Sequence, residues 1–100
     1  MIADRVSPHV VNAGQPFVKK CIEGCIAFQK DGTLDVYVEA ARRTAAECGV
    51  PVCDVYAKWK ALYSAGMNPC ELLSNNVNHP TRIMNRFTAN CLLVTMLENE

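Results

Sequence analysis

The chain has 100 residues, ten Lys and Arg against ten Asp and Glu, and a formal net charge of zero. That length fits one small domain or part of a larger one, because a core of this size has little surplus stability. Zero net charge removes the broad electrostatic attraction behind nucleic-acid and anionic-membrane binding, so neither partner is expected.

The apolar stretches are broken by Lys, Glu or Asn well short of the ~20 residues that span a bilayer. Residues 1–20 lack the apolar centre and cleavage site of a signal peptide. A cytoplasmic location is the default expectation, with secretion the alternative if sequence precedes Met1.

Residues 1–16 show no sustained period and are punctuated by Pro8, Gly14 and Pro16, which predicts an irregular arm. Over 17–29, Phe17, Cys21, Cys25 and Phe28 recur at near-helical spacing, with Gly24 weakening the helix and Asp31-Gly32 closing it in a turn. From Thr33 to Cys48, Leu34, Val38, Ala41, Ala45 and Cys48 form one apolar stripe, which Gly49 and Pro51 terminate.

The run Val50-Pro-Val-Cys-Asp-Val-Tyr is short, apolar and β-branched, the pattern of a strand near 50–55 buried on both faces. No other segment reads as its partner, so its peptide groups need neighbours from elsewhere. Asp54 can cap a short helix presenting Trp59, Leu62 and Tyr63, residues expected to serve packing. Asn68-Pro69 opens one more helical turn, and after a polar loop at 74–79 a helix over 81–97 carries Ile83, Phe87, Cys91, Val94 and Leu97 on one face.

Six cysteines, at 21, 25, 48, 53, 70 and 91, permit a disulfide framework. Several fall on apolar patterns, however, and free cysteine behaves as a small buried hydrophobe, so reduced core thiols are expected. Cys21-x-x-x-Cys25 lacks a second ligand pair at zinc-site spacing, and no metal or cofactor is expected.

The segment Leu72-Leu-Ser-Asn-Asn-Val-Asn-His79-Pro80-Thr81 places an imidazole on a loop just before a helix. Histidine is the side chain whose ordinary pKa permits proton shuttling near neutrality. Asn78-His79-Pro80-Thr81 with its following amphipathic helix resembles the last conserved block of SGNH (GDSL-type) hydrolases. Residues 46–59 resemble that family's helix, last sheet strand and following short helix, and together the two matches span 33–97. Ser7-Pro-His-Val-Val-Asn12 is similar to the loop after its penultimate strand.

The resemblance implies an α/β fold, with this chain as the C-terminal portion of a three-layer α/β/α, flavodoxin-like domain, so that 1–100 form a single partial domain. It implies a serine esterase or lipase in which His79 is general base and acid for a serine outside this chain. The substrate would be a small-molecule or carbohydrate-linked ester. The chain has no Gly-Asp-Ser motif, its only serines being Ser7, Ser64 and Ser74, and no Gly-x-Asn-Asp block. Asn76 occupies the position of the family's Asp, where an amide oxygen can orient an imidazole without matching a carboxylate's stabilisation of the imidazolium. The alternative reading is a non-catalytic helical module that binds another chain or its own copy.

Overall fold

The computed structural model describes residues 1–100 and consists of four α-helices and one 3-10 turn. They are α1 (Pro16–Lys30), α2 (Thr33–Glu47), α3 (Val55–Ser64), the 3-10 turn (Pro69–Leu72) and α4 (Arg82–Glu98). Helix occupies 61% of the chain and no sheet forms, which overturns the expected α/β, flavodoxin-like architecture. Extended pairing is confined to one antiparallel bridge, Leu73 with Pro80.

The strand expected near 50–55 is the main correction. Residues 50–54 are irregular, and α3 already begins at Val55. Two forces decide this. No second segment offers a ladder, and Asp54 is taken by the helix start: its carboxylate accepts the Ala57 N–H at 3.0 Å and binds Arg42 of α2 through Nε at 2.8 Å and Nη2 at 3.0 Å. Val50 and Val52 consequently face solvent, 55% and 45% exposed.

Helix boundaries follow their sequence signals closely. Pro16 and Pro69 sit in the first helical turns, where a missing N–H costs nothing. Thr81 caps α4 by accepting the Met84 N–H at 3.2 Å. Gly32, at φ 88°, supplies the left-handed turn between α1 and α2.

The faces are rotated from those expected. On α1 the covered residues are Val18, Ile22, Cys25, Ile26 and Gln29, while Phe17, Cys21 and Phe28 are exposed. On α4 they are Met84, Phe87, Thr88, Cys91 and Thr95, and Ile83, Val94 and Leu97 are exposed. No residue of α2 is buried, although Leu34, Val38 and Ala45 of its predicted stripe are half-covered.

The core is small. Ala3, Trp59, Cys70, Leu73 and Met84 form its centre, with Met1, Val55, Leu62, Leu72 and Phe87 packed around it. The predicted irregular arm thus contributes a core residue, Ala3, and the buried Ser7. Gln29 fixes the arm by accepting the Ile2 N–H at 2.9 Å and donating to the Ile2 carbonyl at 3.1 Å. Only 8 of 100 residues are buried, and the radius of gyration of 15.3 Å exceeds the ~13 Å expected of a compact chain this long. No helix is long and apolar enough to cross a membrane.

Candidate active site

The loop carrying His79 is built by short-range hydrogen bonds that its sequence dictates. Leu73 and Pro80 close its base, where Thr81 N–H donates to the Leu72 carbonyl at 3.0 Å and Ser74 N–H to the His79 carbonyl at 2.6 Å. Asparagine readily accepts nearby backbone N–H groups, and Asn75 does so three times over. Its Oδ1 receives the N–H groups of Val77 at 3.0 Å, Asn78 at 2.9 Å and His79 at 3.0 Å. Asn76 takes the left-handed conformation, φ 59°, which asparagine tolerates better than most residues. From outside, the Ala3 N–H donates to the Val77 carbonyl at 2.8 Å and ties the loop to the arm.

His79 is exposed, immediately before the N-terminus of α4. Both contacts of its ring fall on Nδ1, one with Asn78 Oδ1 and one with Asn75 Nδ2 at 3.0 Å. Asn75 Nδ2 also donates to Asn78 Oδ1 at 2.8 Å. The two ring contacts are alternatives, because Asn75 Nδ2 is itself a donor: with Nδ1–H donated to Asn78 Oδ1 the lone pair lies on Nε2, the tautomer a general base requires, and Asn75 Nδ2 then only abuts the ring. Nε2 is left for a reacting group.

Asn76, at the position where the resemblance implies an orienting residue, is not a partner of the ring. Its backbone N–H donates to the Leu73 carbonyl at 3.0 Å, and the residue lines a shallow cleft with Arg5, Ser7 and His9. Asn78 Oδ1 is the ring's acceptor instead, and Asn75 positions Asn78 by donating to that same oxygen. The repeated asparagines of Ser74-Asn-Asn-Val-Asn were the signal for them, because such runs favour side-chain capping of the backbone over regular structure.

The chain brings no hydroxyl nucleophile to this imidazole. Ser74 Oγ donates to the backbone carbonyl of His79 at 3.1 Å, and Ser7 Oγ accepts the His9 N–H at 3.2 Å. All six cysteines are unbridged, but only Cys70 is buried, so the expected burial holds for one thiol, while Cys21 and Cys48 are exposed. No three His, Cys, Asp or Glu side chains converge in metal-binding fashion.

A second polar cluster joins α2 to α3. Asp35 Oδ1 accepts from Tyr56 OH and Lys60 Nζ, both at 2.7 Å. The Lys60 hydrogen bond holds the Asp35 carboxyl below its ordinary value, and burial followed by the Asp35 contact pushes Tyr56 up to about 12. These groups satisfy one another and act as a brace.

No protein-family model, curated protein or solved structure matches the chain.

Proposed function

We propose that the chain supplies the general base and acid of an SGNH-type acyl-ester hydrolase site, acting on a serine carried outside these 100 residues. The observation behind this reading is His79: an exposed imidazole whose Nδ1 meets the Asn78 carboxamide oxygen, with Nε2 uncommitted, on a hydrogen-bonded loop at a helix start. In the reaction, serine Oγ forms a bond to the ester carbonyl carbon as Nε2 takes its proton. The same proton then passes to the departing alkoxide as the C–O bond breaks. Water repeats the sequence on the acyl-serine. Asn78 holds the ring in the required tautomer throughout. The resemblance places the oxyanion donors, like the serine, outside this chain. The thin core supports a partner polypeptide, because much apolar surface is left uncovered.

The test is hydrolysis of a short-chain activated ester. The chain alone should be no faster than free imidazole at equal concentration. Adding a polypeptide that bears the Gly-Asp-Ser segment should produce turnover that His79→Ala abolishes. A mixture that stays at the imidazole rate, or turnover that survives His79→Ala, overturns the reading.

A further inference from the structure

We infer that α4 pairs antiparallel with α4 of a second copy of this chain, about a two-fold axis near Leu93, independently of any ester chemistry at His79. The first observation is that α4 is apolar on both sides. Its inward stripe is Met84, Phe87, Thr88, Cys91 and Thr95. Leu92, Leu93, Val94, Met96 and Leu97 are nevertheless each 50% exposed or more. A helix that is hydrophobic all round is one that is covered all round. Ala89, Leu93, Met96 and Leu97 follow the i, i+4, i+7, i+8 spacing of a packing face, opposite the inward stripe. The groove beside it, floored by Pro51 and Cys53 against Leu92 and Met96, extends the apolar surface toward the exposed Val50–Val52 segment.

The distribution of charge selects the occupant. Arg82 and Arg86 lie in the first two turns of α4, Glu98 and Glu100 lie at and just beyond its end, and no charged residue falls between Arg86 and Glu98. Each pair opposes the dipole of its own helix, cations at the positive N-terminus and anions at the negative C-terminus. The helix has no acid in its first turn and no base in its last to compensate. An antiparallel second copy removes both conflicts at once. With the axis at Leu93 it sets its Glu100 opposite Arg86, Glu98 about half a turn inside that position and Arg82 about one turn outside it, and the same contacts recur at the other end of the pair. Such a surface is self-complementary, as an isologous two-fold contact requires. With the axis at Leu93, the small Ala89 falls opposite the large Leu97 of the second copy, so the two faces interdigitate.

Sedimentation equilibrium of the full chain over a concentration series tests this. A dimer is expected, weakened by added salt, and Leu93→Asp should leave a monomer whose circular dichroism is unchanged. Arg82→Glu with Arg86→Glu should weaken the dimer about tenfold, since each reversal turns exposed attractions into repulsions at both ends of the pair. Glu98→Arg with Glu100→Arg should do the same, and all four together should restore wild-type affinity. Arg82→Glu with Arg86→Glu should also hold or raise helix content, because acids suit the N-terminus, whereas general damage to the fold would lower helicity and dimerisation together. A monomer at every concentration overturns the inference, as does dimerisation indifferent to Leu93→Asp or to the charge reversals. A monomer that complexes only with a serine-bearing polypeptide would give this face to that polypeptide, overturning the dimer and leaving the ester reading standing.

Discussion

Asn75 holds His79 through its carboxamide oxygen, which accepts the His79 backbone N–H at 3.0 Å, while its Nδ2 donates at 2.8 Å to Asn78 Oδ1, the acceptor of the ring Nδ1–H. One side chain therefore positions the His79 backbone directly and, through Asn78, the acceptor that orients the ring. Asn75→Ala removes the acceptor of three backbone N–H groups at once. Amide hydrogen exchange at Val77, Asn78 and His79 should accelerate roughly tenfold or more, as expected for losing hydrogen bonds of about 1 kcal/mol each. Unchanged exchange would show that the bridge between Leu73 and Pro80 holds the loop alone.

Asn78 and Asn76 are separable by kinetics once a serine is supplied. Asn78→Asp places a carboxylate against Nδ1, where it stabilises the imidazolium as the serine proton is taken. We expect kcat/KM to rise by about tenfold or more, on the pattern of carboxylate-supported histidines. Asn76→Asp should preserve activity or raise it less, because Asn76 does not reach the ring here. The reverse ranking would mean that the loop rearranges when the serine partner binds.

Trp59 is 4% exposed at the centre of a five-residue core. Replacing so large a buried side chain by Ala costs about 3–5 kcal/mol. A domain with few other buried residues cannot absorb that loss. Trp59→Ala should have no cooperative thermal transition by circular dichroism, whereas Tyr63→Ala, at a partly exposed position, should melt within a few degrees of wild type.

Acid should weaken the α2–α3 junction in a defined direction. The Arg42 hydrogen bond holds the Asp54 carboxyl below its ordinary value of 3.8. The stabilisation is therefore complete above that value and is lost as pH falls through the lower folded-state value. Thermal midpoints measured from about pH 6 down to about pH 2 should fall, and Arg42→Met should flatten part of that fall. The remainder belongs to Asp4, Asp31 and Asp35, held low by hydrogen bonds with Arg5, Thr33 and Lys60. An unchanged slope in Arg42→Met would remove this pair from acid unfolding.

What was legible in the sequence was local. Gly32, Asp54 and Pro69 mark their helix boundaries because caps and turns act within a few residues, whereas Pro16, read as part of the arm, proves to open α1. The Val50–Val55 run misleads because a strand is a relation between segments, and apolar β-branched residues cannot make one without a neighbour. The rotation of α1, which covers Ile22 and exposes Phe17, was equally invisible, since it depends on how α1 packs against α2. His79 was legible as an exposed loop residue. Its true partners were not, because which of three asparagines reaches a ring nitrogen depends on the loop's turns, including the left-handed Asn76.

The bond from the Ala3 N–H to the Val77 carbonyl joins the N-terminal arm to the loop ahead of α4. A contact of such sequence separation forms late, after the closure entropy of a loop that includes α1, α2 and α3 has been overcome. The helices can exist before the imidazole loop has its final shape. Whatever displaces Ala3, including an affinity tag fused ahead of Met1, acts at a distance on the geometry of His79 while leaving the helical content intact.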